Sequence, residues 1–226
     1  MTTFVVTGSS SGLGFQIVKK LLLEGRTVIG IARKLGKASE FDSNEKFRFI
    51  STDLASEDKF MNLNPLIEGP DIGDIILILN AAIFDHDLSG TTDMKSARNL
   101  FSINYFSSVA LVNKFIGHGL KRVLFVNSVA GKIAQLGQAQ YSASKHALQA
   151  YSESLAKASR SHDFDVMSVN PGGINTELWE QSSLLNRNVT DNFLDPRHLA
   201  SLICTLLMMP HKTYIQSMII LPEHDV

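Results

Sequence analysis

The sequence has little cysteine and no excess of charge of one sign. Cys204 is the only cysteine among 226 residues, which excludes an internal disulfide. Its apolar neighbours predict a buried thiol rather than a reactive one. The formal net charge is −1 and the sequence pI is about 6.7, so no basic surface is available to hold nucleic acid. We therefore expect no nucleic-acid partner.

Long hydrophobic runs and convincing metal-ligand patterns are also absent from the sequence. No apolar run approaches the roughly 20 residues that a membrane-spanning helix needs. The sequence opens on a predicted strand without a charged leader or an apolar signal core. Asp85, His86 and Asp87 could bind a metal, but three consecutive loop residues rarely converge on one ion. We expect a soluble cytoplasmic protein with no membrane partner and no metal.

Apolar strand candidates alternate with helical stretches along the whole chain. This alternation predicts an α/β fold in which a parallel sheet is covered by helices on both faces, that is, a doubly wound fold. We expect a single domain over residues 1–226, with ligands bound at the carboxyl ends of the strands. The predicted strands are Phe4–Thr7, Thr27–Ala32, Phe47–Thr52, Asp74–Asn80, Arg122–Asn127, Val166–Asn170 and an edge strand at Tyr214–Leu221.

A glycine-rich loop follows the first predicted strand and precedes an amphipathic helix. Gly8 permits a tight turn, Gly12 lets the backbone approach a pyrophosphate, and Gly14 allows close helix packing. The helix N-terminus adds free N–H groups and a positive dipole end. The pattern predicts a dinucleotide site. The alternative is a Ser/Gly turn without a ligand, which the flanking strand and helix make less favourable.

Tyr141 and Lys145 are four residues apart in a predicted helix, so they share one face of it. A tyrosine has an ordinary pKa of about 10, and an adjacent cation can lower that pKa by roughly 1–3 units. The pair would then transfer protons at cellular pH. The spacing alone is a weak signal, because such pairs occur by chance in many helices.

Taken with these motifs, the chain resembles the short-chain dehydrogenase/reductase family from Thr2 to about Leu199. Members of this family have a single Rossmann domain and transfer hydride between a nicotinamide cofactor and a carbonyl or alcohol. Six elements stand in the family's order: Thr7 with Gly12 and Gly14, Asp53-Leu54, Asn80-Ala81-Ala82, Asn104, Ser128 with Tyr141 and Lys145, and Pro171-Gly172 followed by Thr176.

The resemblance implies a role for each of four catalytic residues. Tyr141 would give its proton to the developing alkoxide, and Ser128 would hold the carbonyl oxygen. Lys145 would lower the tyrosine pKa and bind the nicotinamide ribose. Asn104 matches the helix asparagine that anchors a water in the family's proton relay. In each case the alternative is structural, because Ser128 and Tyr141 could bond only to backbone and Asn104 could cap or kink a buried helix.

The end of the second predicted strand indicates the cofactor. Ala32 stands where NAD-specific members of the family carry aspartate, and Arg33 can pair with a 2′-phosphate. We therefore predict NADP(H), with NAD(H) possible if Arg33 and Lys34 form only a solvated loop. The residues assigned to the cofactor are Gly8, Ser10, Ser11, Gly12, Leu13, Gly14, Arg33, Asp53, Leu54, Asn80, Ala81, Tyr141, Lys145, Pro171, Gly172, Ile174 and Thr176.

A short substrate lid is predicted at about residues 177–194. Its apolar residues suggest a pocket for an aromatic or bulky apolar ketone or aldehyde, including 1,2-dicarbonyls. The alternatives are a biosynthetic alcohol dehydrogenase that works in the oxidative direction and a non-catalytic dinucleotide-binding regulator. By resemblance, the partners are this small molecule and further copies of the chain in a homodimer or homotetramer. The residues named for the pocket are Phe84, Ile133, Leu178, Trp179, Leu184 and Leu185.

Overall fold

The computed structural model describes residues 1–56, 63, 73–86, 93–178, 192–211, 213 and 215–223. Within these residues seven strands form one sheet, and every neighbouring pair is parallel. The strands are β1 (Thr2–Thr7), β2 (Thr27–Ala32), β3 (Phe47–Ser51), β4 (Asp74–Leu79), β5 (Leu120–Val126), β6 (Asp165–Pro171) and β7 (Ser217–Ile220). Their order across the sheet is β3-β2-β1-β4-β5-β6-β7, which confirms the predicted doubly wound fold and places β7 at an edge.

Helices pack on both faces of this sheet. The α-helices of the described residues are α1 (Gly12–Leu23), α2 (Met94–Phe101), α3 (Ser107–Phe115), α4 (Ala139–Ala158) and α5 (Pro196–Leu207). A π-helical turn, Ser102–Phe106, joins α2 to α3, and short 3₁₀ turns occur at Gly36–Phe41, Val129–Gly131 and Ser159–Ser161.

Alternation along the strands divides the interior into two cores. Phe4 and Val6 of β1 pack in one core with helices α1 and α5, whereas Val5 packs in the other with α3 and α4. Successive strand residues point to opposite faces, so a fully apolar strand supplies both cores at once. Cys204 of α5 lies in the first core, and burial raises the pKa of its thiol to about 12, as expected for an inert cysteine.

The ends of α5 show how the chain is held beside the sheet. Asp195 is the N-cap, its carboxylate accepts a hydrogen bond from the Arg197 N–H at 2.7 Å, and Pro196 occupies the first helical position. At the other end, Arg122 of β5 donates to the Leu206 and Leu207 carbonyl oxygens at 3.3 and 2.8 Å. The sequence indicated the N-cap but gave no sign of the arginine at the C-terminal end.

Strand boundaries differ from the predictions by a few residues. β5 begins at Leu120 and β6 at Asp165, so Arg122 and Asp165 are strand residues that face each other in register. β7 is shorter than predicted, and Tyr214 lies outside the described residues. No helix in the described part of the chain is long and apolar enough to span a membrane.

Candidate active site

A cavity of about 990 Å³ lies where the carboxyl ends of the strands meet. Gly14 and Asn104 contact its wall without lining it, through close approach to Gly8 and hydrogen bonds to Ile83. The other predicted site residues all line it: Gly8, Ser10, Ser11, Gly12, Leu13, Arg33, Asp53, Leu54, Asn80, Ala81, Ser128, Tyr141, Lys145, Pro171, Gly172, Ile174 and Thr176.

The glycine loop has the geometry that a bound anion requires. Gly8 adopts a left-handed conformation with φ +67°, and a Cβ on Gly14 would lie 2.2 Å from the Gly8 carbonyl oxygen. Helix α1 begins at Gly12 and its N-cap, Ser11, makes no side-chain capping hydrogen bond. The loop and the N-terminus of α1 line the cavity, and the N–H groups of a helix N-terminus suit a dinucleotide pyrophosphate.

Thr7 and Asn80 join the first and fourth strands behind this loop. The Thr7 hydroxyl accepts hydrogen bonds from the backbone N–H groups of Asn80 and Ala81 at 2.9 and 3.0 Å. The Asn80 amide donates to the Thr7 carbonyl oxygen at 3.0 Å. These bonds fix the two strand ends between which the cavity opens. Ala81 and Ala82, which follow Asn80, both line the cavity.

Ser128, Tyr141 and Lys145 stand together at the other end of the cavity. Ser128 follows β5, and its hydroxyl oxygen accepts from the Ala130 N–H at 3.1 Å. The side chains of Ser128 and Tyr141 are hydrogen-bonded. The Lys145 Nζ lies 5.7 Å from the centroid of the Tyr141 ring and 3.4 Å from the Val126 carbonyl oxygen. Tyr141 and Lys145 are 8% and 2% exposed, so both polar groups are withdrawn from bulk water.

Burial sets the protonation of this pair. It raises the pKa of Tyr141 to about 12, although the hydrogen bond with Ser128 acts in the opposite direction. It also lowers the pKa of Lys145 to about 8. The expectation of a lowered tyrosine pKa is therefore wrong for this structure, because the loss of hydration of a buried phenolate outweighs any help from the lysine. Tyr141 is held as a neutral phenol, which can donate a proton.

Asn104 lies in the π-helical turn between α2 and α3. Its side chain accepts from the Ile83 N–H at 2.8 Å and donates to the Ile83 carbonyl oxygen and the Ser144 hydroxyl at 2.9 and 3.2 Å. The amide thus joins the loop after β4 to helix α4, which carries Tyr141. A π turn at such a position is typical of functional sites. The catalytic role expected for Asn104 stays a prediction.

The end of β2 presents cations to the cavity. Ala32 is buried, and the exposed Arg33 and Lys34 line the cavity. After the neighbouring strand β3, the Asp53 carboxylate accepts from the Ala55 N–H at 3.1 Å in a local side-chain turn. Asp53 and Leu54 also line the cavity.

The comparisons with known proteins agree with this site. A sequence model described as short chain dehydrogenase matches residues 2–185. The chain belongs to the short-chain dehydrogenase/reductase family. It is therefore an oxidoreductase of a family that uses a nicotinamide dinucleotide, and the resemblance found in the sequence motifs is confirmed.

Relatives within this family differ in substrate and cofactor. The chain is 30% identical over 190 residues to the NADPH-dependent 3-dehydrocapnine reductase of Ornithobacterium rhinotracheale, which covers 77% of this chain and 66% of the relative. It is 26% identical to the farnesol dehydrogenase of Aedes aegypti, covering 96% and 94%. A solved structure, 4-hydroxyisoleucine dehydrogenase complexed with NADH, superposes with TM-score 0.86 at 21% identity, covering 98% of each chain. The last likeness shows the fold alone.

In this short-chain dehydrogenase, the segment after β6 contacts the glycine loop. A Cβ on Gly12 would lie 3.3 Å from Thr176, and the Glu177 carboxylate accepts hydrogen bonds from Lys37 and from the Gly12 N–H. Burial raises the pKa of Glu177, but Lys37, the Glu177 backbone N–H and the Gly12 N–H together outweigh it and hold the pKa below its usual value. Sequence reasoning missed Lys37 and Glu177, since nothing local relates residues 140 positions apart.

One wall of the cavity is apolar. Ile133 and Leu178 line it as predicted, whereas Phe84 lies behind it with its ring centroid 5.0 Å from that of Tyr141. Phe193, Ile219 and Leu221 also line the cavity, and the sequence did not indicate them. Trp179, Leu184, Leu185 and most of the proposed lid lie outside the described residues, as does Asp87.

Proposed function

We propose that this enzyme reduces the carbonyl of a bulky apolar ketone or aldehyde, aromatic substrates and 1,2-dicarbonyls included, with NADP(H) as cofactor. The observation that supports the proposal is the shared cavity, which has the glycine loop at one end and Tyr141 with Ser128 at the other. We further propose that residues 1–226 act as one domain with a lid at about residues 177–194.

The mechanism follows from what each side chain can do at its position. When bound, the dinucleotide supplies the hydride. Tyr141, kept neutral by burial, donates its phenolic proton to the carbonyl oxygen as negative charge develops there. Ser128 holds the same oxygen by a hydrogen bond. Lys145 lines the cavity one helical turn from Tyr141, where its ammonium can bind the nicotinamide ribose and favour the phenolate that is left behind.

The raised pKa of Tyr141 bears on the direction of the reaction. A phenol with a pKa of about 12 is a proton donor at neutral pH, whereas the oxidation of an alcohol needs the phenolate as the base. The protonation state in this structure is thus the one from which carbonyl reduction starts. The name of the farnesol dehydrogenase relative supports the second candidate, an alcohol dehydrogenase acting in the oxidative direction. Initial rates measured in both directions, each with its own cofactor form, separate the two.

Arg33 is the proposed determinant of NADP(H) preference. It lines the cavity at the end of β2, directly after the uncharged Ala32, and one relative is named as NADPH-dependent. A charge-assisted bond of about 1.5–3 kcal/mol corresponds to a preference of roughly ten- to a hundredfold. Arg33→Ala should therefore reduce the ratio of kcat/KM with NADPH to that with NADH by this factor.

Arg26→Ala is the matched control for this test, since Arg26 is exposed and precedes β2 at the opposite end of the sheet. It should leave the NADPH to NADH ratio unchanged. A wild-type enzyme that prefers NADH, or an Arg33→Ala variant that keeps its NADPH preference, would refute the cofactor proposal.

The apolar wall supports a bulky apolar substrate. Ile133 and Ile219 line the cavity with 69% and 54% of their surface exposed, and Leu178 and Phe193 line it as well. Two of the relatives described above are named as a farnesol dehydrogenase and a 3-dehydrocapnine reductase. NADPH consumption should be followed against aromatic diketones, quinones, aliphatic ketones and aldehydes, with small polar keto acids as controls. Turnover confined to the keto acids would contradict the proposal.

We also propose a homodimer or homotetramer. Met94 of α2 and Phe106 of the following π-helical turn are 58% and 51% exposed on one continuous helical stretch. Exposed large apolar side chains on a helix are typical of an interface. Light scattering coupled to size exclusion measures the assembly, and a Met94→Ser/Phe106→Ser variant should shift it toward the monomer. A monomeric wild-type chain would refute the proposal.

A further inference from the structure

We propose that Asn127 is a positioning residue, and that its amide, acting with Gln149, fixes Ser128 and Lys145 relative to each other. The inference rests on the proposed function, because it names what holds the catalytic side chains in place. It is carried by a chain of buried hydrogen bonds directly beneath the site.

Asn127 stands at the junction of the catalytic elements. It follows the last residue of β5 and directly precedes Ser128, it lines the cavity, and it is only 4% exposed. Its side-chain amide donates to the Lys145 carbonyl oxygen at 3.2 Å and to the Gln149 Oε1 at 3.0 Å. One amide therefore ties the residue next to Ser128 to the helical turn that carries Lys145.

The hydrogen bond to Lys145 is an addition to the helix. A carbonyl oxygen has two lone pairs, so the Lys145 oxygen can accept from Asn127 as well as from the helical backbone. The 3₁₀ turn after Ser128 passes against this bond, because a Cβ on Gly131 would lie 2.7 Å from the Lys145 oxygen and 2.8 Å from the Asn127 Nδ2. The loop of Ser128 and the helix of Lys145 are thus in close contact at this hydrogen bond.

Gln149 extends the chain to the cavity wall. Its Nε2 donates to the Glu153 carboxylate at 2.7 Å, and Glu153 pairs with Lys132 at 3.3 Å. The Ser168 hydroxyl of β6 donates to the Gln149 Oε1 at 3.4 Å. Lys132 lines the cavity, so the chain runs from one wall of the site to the backbone beneath the catalytic lysine.

The Asn127 Oδ1 is buried and, within the described part of the chain, accepts no hydrogen bond. An unpaired buried acceptor is unfavourable, so this side chain is not placed for greatest stability, and its two donated bonds are what it contributes. The arrangement is suited to geometry rather than to stability, and catalysis is sensitive to misplacement of about 1 Å, which can reduce rates by roughly a hundredfold.

The test replaces both amide partners by apolar residues of similar size. Asn127→Leu/Gln149→Met removes the amide chain from both sides, which can be nearly neutral for stability. We expect Tm to change by only a few degrees, kcat to fall by roughly ten- to a hundredfold, and the pH profile of kcat to shift because Lys145 is released from its position. The Kd for NADPH, measured by fluorescence titration, should rise several-fold for the same reason.

Ser159→Ala is the matched control. Ser159 is a buried polar residue just beyond the C-terminal end of the same helix, α4, and its hydroxyl donates to the Ala156 carbonyl oxygen at 3.2 Å, away from the amide chain. This variant should keep the wild-type pH profile and NADPH Kd. If it alters them as much as the double variant does, the effect belongs to any buried polar side chain and the inference is wrong.

The two proposals fail in different ways. A wild-type enzyme that turns over no carbonyl compound would refute the proposed function, and the NADPH Kd of the double variant would still decide the inference. A double variant that keeps the wild-type kcat, pH profile and Kd would refute the positioning role while leaving the reductase intact. If the double variant does not fold, Gln149→Met alone provides the test, because it breaks the bond from Asn127 to Gln149 and leaves the bond to Lys145.

Discussion

Two buried cations stand at opposite ends of the same sheet, and they are held in very different ways. Arg122, 4% exposed, lies near the amino end of β5 and pairs with the Asp165 carboxylate at 2.8 Å. It also donates to four carbonyl oxygens at 2.8–3.3 Å, those of Leu206, Leu207, Met209 and Pro210. His211 adds a contact to Asp165 at 3.0 Å.

Lys145, 2% exposed, lies beyond the carboxyl end of β5 and has no such support. Among the described residues its ammonium approaches only the Val126 carbonyl oxygen, at 3.4 Å, and the ring of Tyr141. Burial accordingly lowers the pKa of Lys145 to about 8. A buried charge surrounded by partners is satisfied within the fold, whereas a buried charge with few protein partners, placed in a cavity, is typical of a functional site.

The largest expected effect is at the site end. Tyr141→Phe removes the proton donor, and we expect kcat to fall by roughly 10²–10⁴ while Tm does not decrease. Tyr151→Phe is the control, because Tyr151 is on the same helix and packs on Phe125 and Tyr105, away from the cavity. Steady-state kinetics with saturating NADPH measures both variants. Near-normal turnover by Tyr141→Phe would show that Tyr141 is not the proton donor.

The next effect is at the opposite end. Arg122→Met breaks a buried ion pair and leaves the Asp165 carboxylate without its main partner, so unfolding free energy should fall by about 3–5 kcal/mol. For a chain of this size this lowers Tm by roughly 6–20 °C, while kcat at low temperature stays near wild type. Arg122→Met/Asp165→Leu should regain most of the loss. If Arg122→Met is as stable as the wild type, Arg122 does not stabilise the fold and this difference between the two cations is wrong.

Lys145→Met should do the reverse and stabilise the protein at pH 7. The pKa of Lys145 falls from 10.5 to about 8, so between these values the unfolded chain binds more protons and stability rises with pH. Below pH 8 the wild type therefore carries a cost of roughly 3 kcal/mol that the variant lacks. The Tm difference should shrink as the pH approaches 10, and Lys157→Met, at an exposed site on the same helix, should show none of it.

The smallest effect concerns the other end of α5. Asp195→Ala removes the N-cap, which costs about 1 kcal/mol, whereas Asp195→Asn should keep most of the stability. The hydrogen bonds from Arg197 lower the pKa of Asp195 to about 2, so the benefit of the ionised cap is present above pH 4 and is lost as the pH falls toward 2. Thermal unfolding between pH 2 and 6 measures this, and an Asp195→Ala variant with unchanged Tm would contradict it.

Much of the fold could be predicted from local patterns. The strand candidates, the glycine loop and the Asp195-Pro196 helix start depend on periodicity, backbone freedom and capping within a few residues. The site was predictable in outline, because residues that follow the strands of a parallel sheet must meet at its carboxyl edge. The protonation of Tyr141 was not, since it depends on how deeply the folded chain buries the ring.

The sequence by itself determined that the motifs after the strands reach the cavity, because the strand pattern and the position of each motif after a strand are properties of short segments. Only the tertiary structure decided how those residues are held. The pairing of Arg122 with Asp165, 43 positions apart, and the bonds from Asn127 to Lys145 and Gln149 arise from strand order and helix packing. Burial and hydrogen bonding between distant segments set charge and geometry, and no local pattern encodes them.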